Sequence, residues 1–149
     1  MTEIILVRHG ETDWNLQRRV QGHTDVPLNA LGLEQAAALA GSLEDVPLVA
    51  VYASDLGRAR DTAAAVAGRH GLEVIVDPDL REKHFGTWEG LTDIEINERF
   101  PDAAQGAWGD GETSDDVATR VLEALRRISL RHEPGPVLVV SHGGSVRAV

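Results

Sequence analysis

Four short runs of aliphatic residues recur along the chain, and each run ends at polar or turn-forming residues. The runs lie at 4–7, 48–52, 74–76 and 137–140. Each run is too short for a helix and is rich in the β-branched side chains that favour buried strands. The pattern therefore predicts four strands.

Between these runs, apolar residues recur at the three- and four-residue spacing of an amphipathic helix. Such patterns cover 33–43, 56–67 and 117–128. Asn29 and Ser54 are candidate caps for the first two helices, because short polar side chains at these positions can accept from free backbone N–H groups. Thr113 and Asp116 form a capping-box pattern before the third helix. The chain is thus predicted to alternate strands with helices.

Continuous apolar strands that alternate with helices indicate parallel pairing, because a parallel connection needs a crossover of helical length. The sequence predicts a three-layer α/β/α sandwich around a mainly parallel sheet, in a single domain over 1–149. The stretch 91–112 interrupts the alternation with a proline and three glycines around Trp108. We expect this stretch to be a loop-rich flap with one short helix.

The composition narrows the class of protein. In 149 residues, 42% hydrophobic side chains suffice for one globular core, and the absence of cysteine excludes disulfides, thiolate catalysis and cysteine-bound metals. The net charge of −10 argues against nucleic acids and anionic membranes as partners. The chain begins without a basic and apolar leader, and it has no apolar run of the roughly 20 residues that cross a membrane. These features predict a cytoplasmic protein.

Polar clusters follow all four predicted strands, at ends that parallel pairing would bring to one edge of the sheet. The clusters are Arg8-His9-Gly10, Ser54-Asp55-Leu56-Gly57-Arg58, Arg81-Glu82 and Ser141-His142-Gly143-Gly144. The remaining histidines of interest, His23, His70 and His132, lie in predicted turns or at a helix end. Histidines in such places are commonly solvated, so no function is assigned to these three.

The residue types in the clusters suit a phosphoryl group. Arginine forks match phosphate oxygens, and Arg58 also lies in the first turn of a predicted helix, where backbone N–H groups favour an anion. Glycines allow further N–H groups to approach the same anion. A neutral imidazole can attack phosphorus, and a carboxylic acid can protonate the departing alkoxide. This set needs neither a metal ion nor an organic cofactor.

The segment Leu6-Val7-Arg8-His9-Gly10-Glu11-Thr12, followed by Trp14-Asn15, resembles the signature of the histidine phosphatase superfamily, which includes the cofactor-dependent phosphoglycerate mutases. Further matching segments cover nearly the whole chain. They are Gln21-Gly22 to Pro27-Leu28, Leu31-Gly32, Ser54-Asp55-Leu56 with Arg58-Ala59 and Thr62-Ala63, Leu80 to Gly90, and Ser141-His142-Gly143-Gly144. The resemblance implies the α/β fold of the phosphoglycerate mutases.

The resemblance also implies a role for each matching polar residue. His9 would be the nucleophile that becomes phosphohistidine, and Glu82 would act first as the acid and then as the base. The residues that would hold the phosphoryl group are Arg8, Arg58 and His142. The residues that would add hydrogen bonds or line the substrate side of the pocket are Asn15, the Gly143 amide, Gln21 and Gly22. Three aromatic residues near these motifs, Trp14, Phe85 and Trp88, fit packing better than binding.

The spacing between the catalytic motifs bears on the reaction. Only 60 positions separate Glu82 from His142, whereas the mutases of the family carry a long insertion there. The resemblance therefore favours the phosphatase branch, which includes α-ribazole phosphatases. Such an enzyme hydrolyses a small phosphorylated metabolite, and its ligands are that substrate or inorganic phosphate. Phosphoglycerate mutase is the alternative within the family.

Two alternatives belong to other classes. A serine hydrolase would need a Gly-x-Ser-x-Gly elbow, which the sequence lacks. A catalytically silent module would still bind phosphate in the anion pocket but would not hydrolyse an ester. This hypothesis is suggested by the end of the chain soon after His142. Family members usually continue there with a complete helix and further strands. The sheet is therefore expected to lack these C-terminal elements, or to be completed by another copy in a homo-oligomer.

Overall fold

The computed structural model describes residues 2–102 and 110–149. Its strands are β1 (Thr2–Arg8), β2 (Ala50–Ala53), β3 (Val74–Val76) and β4 (Gly135–Ser141). They form one sheet in the spatial order β1-β4-β2-β3, and neighbouring strands pair in parallel throughout it. The predicted parallel sheet is confirmed, and each strand lies within a few residues of its predicted run.

Six helices and two short 3₁₀ turns connect or follow the strands in the described part of the chain. The helices are α1 (Asp13–Leu16), α2 (Ala30–Ser42), α3 (Gly57–His70), α4 (Asp93–Arg99), α5 (Ser114–Arg131) and α6 (Gly143–Ala148), and the 3₁₀ turns are Pro78–Leu80 and Gly86–Trp88. Among these helices, none is long and apolar enough to span a membrane.

Different helices cover the two faces of the sheet. Leu138 and Val140 of the inner strand β4 pack on one face with residues of α2 and α3, whereas Val137 and Val139 pack on the other face with residues of α5. Successive side chains of a strand point to opposite faces, so the uninterrupted apolar run of β4 fills both interfaces. The predicted three-layer α/β/α sandwich is confirmed.

The helix caps follow the sequence prediction in two of three cases. Asn29 caps α2, and Thr113 caps α5 in a capping box. Ser54 does not cap α3: the N-cap residue is Leu56, which makes no side-chain cap hydrogen bond. The Ser54 hydroxyl instead accepts from the Leu56 amide at 3.2 Å and lies 2.7 Å from Nε2 of His142. The predicted cap at Ser54 is wrong because this side chain pairs with the end of a neighbouring strand.

The predicted flap over 91–112 includes residues 103–109, which lie outside the described residues. In the described part of this stretch, α4 is the short helix that the sequence predicts, and its Ile96 side chain is buried. Trp88, just before the stretch, is also buried, and its ring centroid lies 6.0 Å from that of Phe100. The division of the chain into a domain and a loop-rich flap stays a prediction.

Candidate active site

The two histidine motifs meet because their strands are neighbours. Strands β1 and β4 pair in parallel with Arg8 opposite Ser141, so both chains leave the sheet at the same edge. The His9 amide donates to the Ser141 carbonyl at 3.1 Å. The rings of His9 and His142 lie edge to face with their centroids 5.1 Å apart. The parallel topology therefore brings together two histidines that are far apart in the sequence.

A hydrogen bond to the backbone holds His9 in one tautomer. Its Nδ1 lies 2.5 Å from the Gly10 carbonyl oxygen. Because a carbonyl oxygen can only accept, Nδ1 carries the proton and Nε2 has the free lone pair. Burial lowers the pKa of His9 from 6.5 to about 4, assisted by Arg58 and Arg8 and opposed by the Gly10 hydrogen bond. At neutral pH, Nε2 is therefore available as a nucleophile.

Close backbone packing supports the turn after His9. A Cβ atom on Gly10 would lie 2.5 Å from the Gly32 carbonyl oxygen, and one on Gly32 would overlap the backbone of Glu11. The Gly10 amide donates to the Thr62 hydroxyl at 3.1 Å. The turn is thus packed against the start of α2 and tied to α3. A larger residue at position 10 or 32 would push this turn, and His9 with it, out of place.

His142 is fully buried at the N-terminal end of α6. Burial, followed by the positive charge of Arg58, lowers the pKa of His142 well below 6.5, so the ring is neutral. Ser54 Oγ accepts from the Leu56 amide at 3.2 Å and lies 2.7 Å from Nε2 of His142, a contact in which the hydroxyl can either donate or accept. Where the hydroxyl donates to Nε2, the proton of the neutral ring lies on Nδ1, which has no hydrogen-bond partner within the described residues. This N–H group can bind an anion.

Arg58 is fully buried in the first turn of α3. Its terminal nitrogens donate to the carbonyls of Thr24 and Gly22 at 2.6 and 2.7 Å. Its Nε has no partner among residues 2–102 and 110–149. Burial lowers the pKa of Arg58 to about 10, and nearby carboxylates oppose this effect, so the group stays positive at neutral pH. Arg58 therefore supplies a fixed positive charge beside His9.

Backbone amides orient the carboxylate of Glu82. Its Oε1 accepts from the Lys83 amide at 2.8 Å, and its Oε2 accepts from the Gly144 amide at 3.0 Å. A Cβ atom on Gly144 would overlap Oε1 of Glu82, so the glycine both makes room for the carboxylate and binds it. His23 was predicted to be solvated and without a function. In the structure its Nε2 instead donates to the Glu82 carbonyl at 2.8 Å.

A cleft of about 170 Å³ lies at this edge of the sheet. Its walls include the predicted residues Arg8, His9, Asn15, Gln21, Gly22, Arg58, Glu82 and Gly143. His142 does not line the cleft but contacts the ring of His9. The structure therefore brings all nine predicted residues to one place, while the role of each stays a prediction.

Five further residues line the same cleft: Arg19, Val20, Phe85, Gly144 and Arg147. Gly144 belongs to the predicted Ser141-His142-Gly143-Gly144 motif. Phe85 was interpreted from the sequence as a packing residue rather than a binding residue. Arg147 lies four residues after Gly143 on α6, a spacing that places both on one helix face and could have indicated it. Arg19 and Val20 carry no such signal, because they reach the cleft through a turn without helical or strand periodicity.

Thr12 ties Asn15 and Gln21 to the turn after β1. The Thr12 amide donates to Asn15 Oδ1 at 3.0 Å, and the Thr12 hydroxyl donates to Gln21 Oε1 at 2.7 Å. Both bonds use the side-chain oxygens, so the NH₂ groups are the ends available to a ligand in the cleft. Gly22 follows with φ of 55°, in the left-handed region that favours glycine.

Arg8 and Arg147 flank the start of α6. A Cβ atom on Gly143 would lie 3.3 Å from a terminal nitrogen of Arg147 and 3.7 Å from the guanidinium carbon of Arg8. Neither guanidinium has an ion-pair partner in the part of the chain that the structure describes. Two uncompensated positive charges at the cleft therefore favour anions, in a protein whose net charge is −10.

Apart from the Glu82 carboxylate, the charged groups that line the cleft are the guanidinium groups of Arg8, Arg19, Arg58 and Arg147, so the lining as a whole suits an anion rather than a cation. Across the two described ranges, no three histidine, aspartate or glutamate side chains are grouped so that they could hold a metal ion. Metal independence stays a prediction.

Comparisons with known proteins agree with this chemistry. The chain is 45% identical to a metal-independent phosphoserine phosphatase of Arabidopsis thaliana, over 100% of this chain and 67% of that protein. It is 41% identical to phosphoglycerate mutase-like protein 4 of the same plant, over 99% of this chain and 69% of that protein. These relatives are thus longer than the chain, which spans about two thirds of each.

A solved structure shows the same fold. The mycobacterial glucosyl-3-phosphoglycerate phosphatase, solved with inorganic phosphate, superposes with a TM-score of 0.86 at 35% identity, over 99% of this chain and 76% of that one. The sequence profile of the histidine phosphatase superfamily (branch 1) matches residues 4–149, a range that contains every residue of the cleft. The chain therefore belongs to branch 1 of the histidine phosphatase superfamily.

Proposed function

We propose that the chain is a metal-independent phosphomonoesterase that transfers a phosphoryl group first to Nε2 of His9 and then to water. One observation carries this proposal. The proton of His9 is held on Nδ1, so that a neutral imidazole presents its lone pair in a cleft that also contains Arg8 and Arg58. A neutral nucleophile beside fixed positive charges suits attack on an anionic phosphate ester.

In the first step, Nε2 of His9 forms a bond to phosphorus while the bond between phosphorus and the ester oxygen breaks. The Glu82 carboxyl group, in its acid form, gives its proton to the departing alkoxide. Arg8, Arg58 and the Nδ1–H group of His142 offset the charge of the phosphoryl oxygens. The products of this step are an alcohol and phosphohistidine.

In the second step, water attacks the phosphohistidine. The Glu82 carboxylate accepts a proton from the water as its oxygen bonds to phosphorus. The bond between phosphorus and Nε2 of His9 breaks, which restores the neutral imidazole and releases inorganic phosphate. Glu82 is again in its acid form, so one turnover consumes one water molecule and one ester.

The substrate of this proposal is a small phosphorylated metabolite with a second anionic group, such as a carboxylate. Arg147 supports this choice, because it lines the cleft and has no ion-pair partner in the described residues. The other basic residue missed by the sequence, Arg19, lies 3.2 Å from Glu95, which offsets its charge. The names of two similar proteins fit the choice, since phosphoserine and glucosyl-3-phosphoglycerate both carry a carboxylate.

Phosphoglycerate mutase is the second candidate, because one relative is named phosphoglycerate mutase-like. The phosphohistidine would then pass its phosphoryl group to a second hydroxyl instead of water. Release of inorganic phosphate from 3-phosphoglycerate supports hydrolysis, whereas formation of 2-phosphoglycerate supports the mutase. A cytoplasmic location, a homo-oligomeric state and the lack of a nucleic-acid partner stay predictions.

Hydrolysis of p-nitrophenyl phosphate by the wild-type protein and by His9→Ala tests the proposal. His70→Ala is the matched control, because His70 ends α3 and lies at the end of that helix opposite to Arg58. We expect wild-type turnover in the control and at least a 10³-fold loss, on the order expected for a missing nucleophile, in His9→Ala. Wild-type turnover in folded His9→Ala would contradict the proposed mechanism.

A further inference from the structure

Three backbone carbonyls in the segment that carries Glu82 converge on one guanidinium group. One terminal nitrogen of Arg120, in α5, donates to the carbonyls of Asp79 and Arg81 at 2.8 and 2.7 Å. The other terminal nitrogen donates to the carbonyl of Glu82 at 2.7 Å. Arg120 does not line the cleft. It acts on the backbone of the segment and not on a ligand.

Glu112 orients this guanidinium. Its carboxylate accepts from Nε and from a terminal nitrogen of Arg120, at 2.9 and 2.8 Å, and from the His84 amide at 2.8 Å. Burial raises the pKa of Glu112, but the bonds from Arg120 and the His84 amide outweigh burial and lower it, so the group stays charged. One ion pair therefore binds the backbone on both sides of Glu82.

The Glu82 carbonyl also accepts from a second side chain. Nε2 of His23 donates to this carbonyl at 2.8 Å. Burial is the main cause that lowers the pKa of His23, so the ring is neutral at neutral pH. The two donors, His23 and Arg120, occupy both lone pairs of the carbonyl oxygen. At the other end of the residue, the carboxylate is bound by backbone amides. Both the backbone and the side chain of Glu82 are thus fixed.

We propose that Arg120 is a positioning residue for Glu82, and that it holds the carboxyl group where the leaving oxygen can take its proton. This inference rests on the acid role of Glu82 in the proposed function. The segment as a whole does not depend on Arg120, because the hydroxyls of Ser141 and Ser145 bind two of its carbonyls at 2.7 and 2.8 Å. Loss of Arg120 should therefore loosen Glu82 without detaching the segment.

Arg120→Gln tests the inference, with Arg127→Gln as the matched control. Arg127 lies further along α5, and it pairs with the carboxylates of Asp77 and Asp79 at 3.0 and 2.9 Å. The control therefore removes an arginine from the same helix without touching the Glu82 backbone. The readout is kcat/KM for an alkyl phosphate and for p-nitrophenyl phosphate, whose leaving group needs little protonation.

We expect Arg120→Gln to lower kcat/KM for the alkyl phosphate about 10- to 100-fold, part of the roughly 10²- to 10⁴-fold contribution of a general acid. The value for p-nitrophenyl phosphate should fall less than about threefold, and Arg127→Gln should change neither value. Arg120→Lys keeps the charge with fewer donors in a different geometry, so its values should lie between those of wild type and Arg120→Gln. If Arg120→Gln does not fold, the same comparison on Arg120→Lys decides the question.

Glu82→Gln separates this inference from the proposed function. In the Glu82→Gln protein, adding Arg120→Gln should cause no further loss with the alkyl phosphate, because the group that it positions is already gone. Equal loss with both esters in folded Arg120→Gln, or a full additional loss in the double variant, would overturn the positioning role alone. Equal loss with both esters in Glu82→Gln itself would overturn the acid role, and the inference with it.

Discussion

His9 should stay neutral at pH values where ordinary histidines are protonated. The residue is 6% exposed, and its Nδ1 donates to the Gly10 carbonyl. Burial, then the charges of Arg58 and Arg8, lowers its pKa from 6.5 to about 4. This decrease corresponds to roughly 3 kcal/mol in favour of the neutral ring. At about pH 5.5, an ordinary histidine is roughly nine-tenths protonated, whereas His9 should be almost entirely neutral.

Two-dimensional ¹H–¹⁵N spectra of the imidazole rings measure both the pKa and the tautomer of His9. The signal that His9→Ala removes belongs to this residue. We expect the pattern of a neutral ring with its proton on Nδ1, unchanged from about pH 8 to about pH 5.5, and a titration midpoint near 4. A midpoint near 6.5 would refute the lowering of the His9 pKa by burial, and a proton on Nε2 at neutral pH would refute the assignment of Nε2 as the nucleophile.

The same pKa decrease sets the sign of a stability change. The unfolded chain has the ordinary pKa of 6.5, so it binds the His9 proton more tightly than the folded protein does. The contribution to stability is fully present above about pH 6.5 and is lost as the pH falls towards 4, by up to roughly 3 kcal/mol. Denaturant titrations of the wild type and His9→Gln at about pH 7 and pH 4.5 measure this loss. An equal pH dependence in the two proteins would contradict the reasoning.

Three further perturbations test other parts of the site. In Gly144→Ala, the added methyl group would overlap the Glu82 carboxylate, so turnover of alkyl phosphates should fall roughly 10²-fold. Gly68→Ala is the control, because a Cβ atom there meets nothing within 4 Å, and it should leave turnover unchanged. Arg147→Gln should raise KM for phosphoserine about tenfold. For O-phosphoethanolamine, which lacks the carboxylate, KM should stay within about twofold of the wild-type value. Equal increases in KM for both substrates would argue against a carboxylate bound at Arg147. Turnover should persist in EDTA, because the donors of the cleft suit an anion, and a loss that Mg²⁺ or Zn²⁺ reverses would show a metal requirement.

Much of the fold could be predicted because its signals are local. The aliphatic run of β4 at 137–140 has no polar alternation, which indicated a strand covered on both faces, and helices pack on both faces in the structure. The positions of His9 and His142 followed from the same reasoning, since each comes directly after a strand. Parallel pairing then placed both histidines at one edge of the sheet.

Other parts of the site left no local signal. Ser54 was predicted to be a helix cap, but it binds His142. His23 was assigned no function, yet it and Arg120 both donate to the Glu82 carbonyl. A bond from a distant side chain to a backbone carbonyl depends on how elements pack in three dimensions, and every residue type has such a carbonyl. The sequence pattern therefore could not indicate which side chains would fix Glu82.

Trapping a labelled phosphoryl group on His9 tests the central claim most directly. After rapid quenching with a ³²P-labelled substrate, the account predicts an acid-labile and base-stable label on His9. His9→Ala should abolish both label and turnover while calorimetry still detects binding of inorganic phosphate, and His142→Ala should slow labelling without moving the label. A label on Ser54, Ser141 or His142, or steady turnover without any label on His9, would contradict the account.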